Sequence, residues 1–276
     1  MQDQLDTATT RITSSARDRF DADALFLPQA VDGSVLESVV GGRLIADESA
    51  IEAHRFFELA RGEPDLLRLW VSQECVVTGP FSQLLLLVAC DLENVHLRAA
   101  FLDVVVGEHG PVSDGVARTA HPYLLYRLSR SVGLHLGRVV PLDCTLDFLS
   151  DVERFIQSPL AALGVLGVGN ERLLLTEYEA VRSCFDAALA DADYSDFLNS
   201  NIEEDLGHSA IAEHVAAALI SRGGNLDEYY DAARAGVEAR LRYYDRLVEF
   251  WNEERLPTHW LAKIPSPSSV RDMEKL

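Results

Sequence analysis

The chain has 276 residues, 48% of them hydrophobic, and a formal net charge of −20. This length suits one large domain or two small ones, and the hydrophobic content can fill a sizeable core. Because so acidic a surface repels nucleic acid and anionic lipid, we expect neither nucleic acid nor a membrane as a partner.

The two ends of the chain differ in composition from the rest. Residues 1–18 are polar and Ser/Thr-rich, without the apolar stretch of a signal peptide, which predicts a disordered N-terminal arm. The Pro/Ser-rich stretch 264–269 predicts a tail over residues 263–276. Residues 19–262 contain no linker signal, so we predict one domain there.

The four cysteines lack CxxC spacing, which indicates free thiols in a reducing compartment. The longest tight apolar run, residues 84–90, is too short to span a bilayer. We therefore expect a cytoplasmic protein.

Helical periodicity alternates with short turn signals along the whole middle of the chain. In chain order, the predicted helices cover residues 49–60, 65–90 with a bend near Gly79-Pro80, 92–108, 121–132, 146–163, 171–190, 195–221 and 226–254. Long helices with short connections predict an all-α, single-domain helical bundle of about seven to eight helices.

Asp205 and His208 are the most informative pair in the sequence. They lie three positions apart in a predicted helix and therefore share one helix face. An acid and an imidazole at this spacing can hold one metal ion, as Glu-x-x-His does in ferritin-like carboxylate proteins. The same pair also occurs on solvated helix faces, so this motif alone does not decide between the two interpretations.

Further acids and a histidine stand among apolar neighbours, where each could instead be a helix cap or a surface residue. Glu74 and Glu108 lie 34 positions apart. The same interval separates Glu171 from Asp205. Together with the histidines, the candidate ligands are Glu74, Glu108, His121, Glu171, Asp205 and His208.

Four carboxylates and two imidazoles are the ligand inventory of a di-iron carboxylate centre. Four buried acids would be prohibitive without a compensating positive charge, which two divalent cations supply. Carboxylate-rich, sulfur-poor ligation favours iron or manganese over structural zinc.

Several stretches around these residues resemble the heme-oxygenase-like di-iron oxidases, which share their helical fold with the thiaminase II and PQQ-synthase relatives. The resemblance rests on HRFFELARG at 54–62, VSQEC at 71–75 followed by Pro80-Phe81, LRAAFLDVVVGEHG at 97–110, His121 with Leu124, Leu125 and Gly133-Leu134, and Phe197 with Asp205 and His208. The order and spacing of these motifs agree with the family over roughly residues 50–255.

The resemblance implies the heme-oxygenase-like helical fold and metal ligation by all six candidate residues. It further implies two Fe(II) ions, dioxygen as co-substrate and an external electron donor. The implied small-molecule substrate is an amine, an amino acid or a fatty-acid-like compound, oxidised in small-molecule biosynthesis. The oligomeric state stays open, with a homodimer as one option.

The sequence departs from the family pattern at two places. Asn201 stands where the family usually has a histidine, four residues before Asp205, and an amide oxygen is a weaker ligand for iron than an imidazole. One metal site would then be weak, unless Glu204 substitutes as a ligand. The loop between Glu108 and His121 is also longer than usual, which leaves His109 as a fallback ligand.

Two alternative functions remain open on the sequence. A metal-independent, thiaminase II-like enzyme would use a catalytic cysteine, for which Cys75 and Cys184 are the candidates. A non-catalytic helical binding protein would explain Asn201 as a decayed ligand. The aromatic pairs Tyr243-Tyr244 and Phe250-Trp251 are predicted to belong to the core rather than to a substrate site.

Overall fold

The computed structural model describes residues 22–40, 45–113 and 116–254. Helices account for most of these ranges, and within them β-pairing is limited to an isolated bridge between Ser113 and Val116. The predicted all-α bundle is therefore confirmed. The predicted arm 1–18 and tail 263–276 lie outside the described residues.

The helices follow one another with short connections. They are α1 (Ala22–Phe26), α2 (Gly33–Val40), α3 (Ile45–Glu52), α4 (Arg55–Ala60), α5 (Pro64–Asp91), α6 (Val95–His109), α7 (His121–Ser131), α8 (Asp143–Glu153), α9 (Pro159–Leu163), α10 (Leu173–Ala188), α11 (Ser195–Ser221) and α12 (Leu226–Glu254). A short 3₁₀ helix covers Leu136–Arg138, and a π-helix over Gly164–Arg172 joins α9 to α10.

Two predicted helices are each interrupted by a capping residue. The segment 49–60 divides into α3 and α4 because the His54 ring accepts a hydrogen bond from the Phe56 N–H at 3.1 Å and so caps a new helix. The segment 146–163 divides into α8 and α9, since Ser158 caps α9 and Pro159 occupies its first turn. A capping side chain and a first-turn proline favour a new helix start over continuation.

The π-helix packs against α12 through glycines. A Cβ atom added to Gly169 would lie 2.7 Å from the Ala233 carbonyl oxygen, and one added to Gly236 would lie 3.0 Å from the Val165 carbonyl oxygen. Only glycine permits backbones to approach so closely. The Asn170 side chain also donates to the Val165 carbonyl at 2.6 Å, which satisfies a backbone acceptor inside the π-helix.

Helix α5 runs unbroken through Pro80 along the bundle. By length and composition alone it could cross a bilayer, but half of its most apolar window is buried inside the protein. It also carries Gln73, whose side-chain oxygen accepts hydrogen bonds from the Leu142 N–H at 2.9 Å and the Thr145 hydroxyl at 2.7 Å. These contacts are those of a core helix in a helical bundle.

We expect Gly169→Ala to lower the free energy of unfolding by about 1–3 kcal/mol, because the new methyl group meets backbone atoms that cannot move aside. Gly207→Ala is the matched control. Gly207 is exposed in α11 with open space around it, so alanine there should be neutral or stabilising by up to about 1 kcal/mol. Chemical denaturation of both variants measures the difference, and equal stabilities would contradict the close packing.

Candidate metal centre

Four buried side chains from three elements converge in the bundle interior. Glu108 comes from the last turn of α6, Glu171 from the π-helix, and Asp205 and His208 from one face of α11. One ligand atom from each of the four lies within 4.8 Å of the others. We call these four residues the acidic cluster.

The two histidines lie on either side of Glu108. His121 begins α7, and its Nδ1 is 3.0 Å from Glu108 Oε1. His208 Nδ1 lies 3.4 Å from Glu171 Oε2 and 3.6 Å from Glu108 Oε1. It also lies 3.7 Å from Asp205 Oδ1. Both imidazoles are therefore within reach of the carboxylates.

Gly107 makes room for this arrangement where α6 meets α11. A Cβ atom at Gly107 would lie 2.4 Å from His208 Nε2, closer than any side chain permits. The absence of a side chain at this position therefore lets His208 lie directly against α6.

The electrostatics of the acidic cluster favour a bound cation. Burial, reinforced by the charges of Glu171 and Glu108, raises the pKa of Asp205 well above its ordinary value. Burial likewise raises the pKa of Glu171. For His121, burial lowers the pKa, but contacts with Glu108 and Glu204 outweigh this effect and raise it to about 10. The carboxylates thus need positive charge close by.

Several buried atoms of the cluster and of the adjoining His121 also lack hydrogen-bond partners. Within the described part of the chain, Glu171 Oε1, both carboxylate oxygens of Asp205 and His121 Nε2 make no hydrogen bond. Buried polar atoms are normally satisfied, and unsatisfied ones are destabilising. Oxygen and imidazole donors left free in this way fit a first-row divalent metal ion.

A cavity adjoins the cluster, and the space inside it is about 430 Å³ when the open solvent at its mouth is included. Its polar lining includes Glu108, His121, Glu171 and Asn201, and its apolar lining includes Val77, Phe81, Phe148 and Leu174. A small molecule in this cavity would lie beside the carboxylates and against an apolar wall.

Comparison with known families agrees with this donor set. The sequence model of iron-containing redox enzymes matches residues 68–241, more than half of the chain and all of the acidic cluster. This chain belongs to the iron-containing redox enzyme family. The family resemblance inferred from the sequence is thereby confirmed.

Two crystal structures of a CADD-like protein of unknown function from Nostoc punctiforme PCC 73102 share the fold of this chain. The 2.00 Å structure has 14% identity and a TM-score of 0.55, covering 89% of this chain and 97% of that one. The 1.35 Å structure has 12% identity and a TM-score of 0.55, covering 92% of this chain and 98% of that one. No curated protein matches the chain.

The structure brings most of the predicted site residues of this family member together. Glu108, Glu171, Asp205 and His208 form the acidic cluster, and His121 adjoins it through Glu108. Their ligand role stays a prediction. The fallback ligand His109 instead makes a 2.8 Å contact from Nδ1 to the Val105 carbonyl of its own helix.

Asn201 and Glu204 lie at the edge of the cluster. The Asn201 side-chain nitrogen donates a 2.6 Å hydrogen bond to the Phe197 carbonyl one turn earlier in α11. Glu204 Oε2 lies 3.5 Å from His121 Nε2, which is too long for a normal hydrogen bond.

Glu74 lines the same cavity but is not brought into the acidic cluster. Its Oε2 is 3.0 Å from Arg240 Nη2, and its Oε1 accepts a 3.0 Å hydrogen bond from the Tyr243 hydroxyl. Arg240 also donates from Nε to Glu177 Oε2 at 2.9 Å. A protein cation therefore compensates Glu74, and the equal spacing of 34 residues does not mark two equivalent halves of one site.

Arg240 and Glu177 were not among the candidates drawn from the sequence, although a signal for both is present. Arg240 falls on the apolar stripe of α12 with Val237 and Tyr244, and Glu177 falls on that of α10 with Leu173. A charge in an apolar stripe at helical spacing indicates a buried partner.

Tyr243 and Tyr244 are buried, as their predicted core position requires. The hydroxyl groups of both tyrosines nevertheless form hydrogen bonds to buried carboxylates. The Tyr244 hydroxyl donates to Glu177 at 2.7 Å and accepts a 3.0 Å hydrogen bond from the Trp70 ring N–H. We call Glu74, Glu177, Arg240, Tyr243, Tyr244 and Trp70 the arginine network.

The cysteines give no support to a thiol-based mechanism. Burial raises the pKa of Cys184 to about 11 and that of Cys75 to about 12. A thiol with so high a pKa stays protonated and is a poor nucleophile. Neither Cys75 nor Cys184 is among the described residues that line the cavity.

We expect Arg240→Met to lower the free energy of unfolding by about 3–5 kcal/mol, because Glu74 and Glu177 would remain buried without a counter-charge. Arg242→Met is the matched control on the same helix. Arg242 is exposed and pairs with Asp151 at 2.8 Å, so its loss should change stability by about 0–1 kcal/mol. If the two variants changed the free energy of unfolding equally in denaturant, the arginine network would not contribute to stability as expected.

Proposed function

We propose that this protein is a non-heme di-iron oxidase or oxygenase that uses dioxygen to oxidise a small molecule. The observation that carries the proposal is the acidic cluster, whose Asp205 oxygens are buried without a hydrogen-bond partner in the described structure. Membership of the iron-containing redox enzyme family supports iron as the cation that fits there.

The proposed ligands are the four residues of the acidic cluster together with His121. Carboxylate and imidazole donors without thiolates suit Fe(II). Bound iron would supply the electrons that activate dioxygen. The chain itself holds the donors in place, with Gly107 admitting His208 and Glu108 lying between the two imidazoles.

The cavity supports a small-molecule substrate. Its lining combines an apolar wall with a few polar groups, which is the usual lining of a small-molecule site. Its apolar wall of Val77, Phe81, Phe148 and Leu174 would exclude water and orient the substrate beside the cluster. An amine, an amino acid or a fatty-acid-like compound is the proposed substrate class, with an external electron donor and a role in small-molecule biosynthesis.

The net charge of −20 supports an enzyme that binds neither nucleic acid nor membranes, and the four free cysteines support a cytoplasmic location, which is part of the same proposal.

We expect anaerobic Fe(II) to raise the melting temperature of the wild-type protein and not that of Asp205→Asn. Ligand binding at a hundredfold excess over its Kd stabilises a protein by about 2.7 kcal/mol. Without metal, Asp205→Asn should be no less stable than wild type, because the change removes one negative charge from a group of three. Thermal unfolding with and without Fe(II) measures both effects.

Asp103→Asn is the matched control, because Asp103 is exposed on α6 and its loss should leave the Fe(II) response unchanged. Dioxygen uptake by the iron-loaded proteins with an added chemical reductant tests the activity. An equal Fe(II)-induced stabilisation in Asp205→Asn, or equal dioxygen uptake, would contradict the proposed centre.

A further inference from the structure

Glu204 lies on the far side of His121 from Glu108. We propose that Glu204 is a metal ligand and that its Oε2, with His121 Nε2, forms the position of the second ion. This inference rests on the proposed function and assigns a ligand to it.

The His121 ring is oriented for such a role. Its Nδ1 lies 3.0 Å from Glu108 Oε1, a hydrogen-bond distance at which Nδ1 carries the proton. Nε2 is then the nitrogen available to a metal ion, which would displace its proton on binding, and this nitrogen is buried without a hydrogen-bond partner in the described structure. A histidine ligand whose other nitrogen donates to a carboxylate is the usual arrangement at metal sites.

The spacing between the two donors fits a shared ion. His121 Nε2 and Glu204 Oε2 are 3.5 Å apart. Two donors bound to one ion at about 2.1 Å lie between about 3 Å and 4.2 Å of each other, depending on the angle between them. The observed distance falls inside this range, although it is long for a direct hydrogen bond.

Glu204 is also held in position. The Ser200 hydroxyl donates to its Oε1 at 3.0 Å, which leaves Oε2 for another partner. A Cβ atom at Gly107 would lie 3.3 Å from Glu204 Oε2, so the missing side chain keeps this approach open as well.

Asn201 is a poorer candidate for the same position. Its side-chain nitrogen is tied to the Phe197 carbonyl of its own helix at 2.6 Å, and what remains is a neutral amide oxygen. A carboxylate is the stronger ligand for Fe(II).

Charge balance gives an independent argument. The acidic cluster contributes three carboxylates, Glu108, Glu171 and Asp205. With Glu204 there are four, which is the number that neutralises two divalent ions. A buried site whose charges balance avoids the penalty of an uncompensated ion.

The test is a titration with Mn²⁺, which shares the ligand preferences of Fe(II) and is stable in air. Electron paramagnetic resonance measures free Mn²⁺ and the coupled signal of a bound pair. We expect wild type to bind two ions. In Glu204→Gln the affinity for the second ion should fall at least about tenfold, while the first ion still binds.

Two variants are the controls. Glu203→Gln removes the same charge from the exposed neighbouring position of α11, and Asn201→Ala removes the competing donor. Both should bind two ions like wild type. Wild-type binding of both ions by Glu204→Gln, or loss of the second ion in Asn201→Ala, would overturn the assignment.

The variant Glu204→Asp distinguishes direct metal ligation by Glu204 from a purely electrostatic effect of its negative charge. It keeps the negative charge but shortens the side chain, so the second ion should still be lost if Glu204 is a ligand and should be kept if only its charge matters. It also supplies the measurement if Glu204→Gln fails to fold, as judged by circular dichroism. Binding of both ions by Glu204→Gln with wild-type affinity would overturn this inference alone, whereas binding of one ion by wild type would also remove the second iron from the proposed function. Failure to bind either Mn²⁺ or anaerobic Fe(II) would overturn the proposed function with it.

Discussion

The structure depends on how the bundle neutralises its buried carboxylates. In the arginine network, Arg240 supplies a fixed positive charge to Glu74 and Glu177, and tyrosine hydroxyls satisfy the remaining oxygens. In the acidic cluster, imidazoles are the cationic partners the described chain provides, and both Asp205 oxygens remain without hydrogen bonds. Acids of both groups line one cavity, Glu74 from the first and Glu108 and Glu171 from the second. The acids of the first group find their positive charge within the protein, whereas those of the second keep buried oxygens without a hydrogen-bond partner in the described structure. This difference is what makes the second a candidate metal centre.

Backbone geometry places the acidic cluster. The π-helix carries Glu171, and π-helical turns are rare and often found at functional sites because they redirect side chains. Its packing against α12 requires glycine at both Gly169 and Gly236, so the helix carrying Arg240 also supports the helix carrying Glu171. On the opposite side, Gly107 lets α6 approach α11 closely enough for Glu108 to contact His208.

The helical fold was predictable because apolar periodicity is a local property of the sequence. The helix breaks at His54 and Ser158 were not predictable, because a single capping side chain decides each of them. The Asp205–His208 pair was predictable from i, i+3 spacing in one helix. The partner of Glu74 was not predictable in the same way. An acid among apolar residues indicates a buried partner, but the choice between a metal ion and Arg240, 166 positions later, is made by tertiary packing. Spacing along the chain does not carry that information.

The separation of the two groups of acids also separates folding from metal binding. The arginine network joins α5, α10 and α12 through Glu74, Glu177 and Arg240, with contacts that involve no metal. The acidic cluster joins α6, the π-helix and α11. Proteins whose core is organised by the metal itself unfold without it, whereas here buried ion pairs that involve no metal already join the long helices. The bundle can therefore present unsatisfied carboxylates to an incoming ion, because the contacts that join these three long helices in the arginine network need no metal.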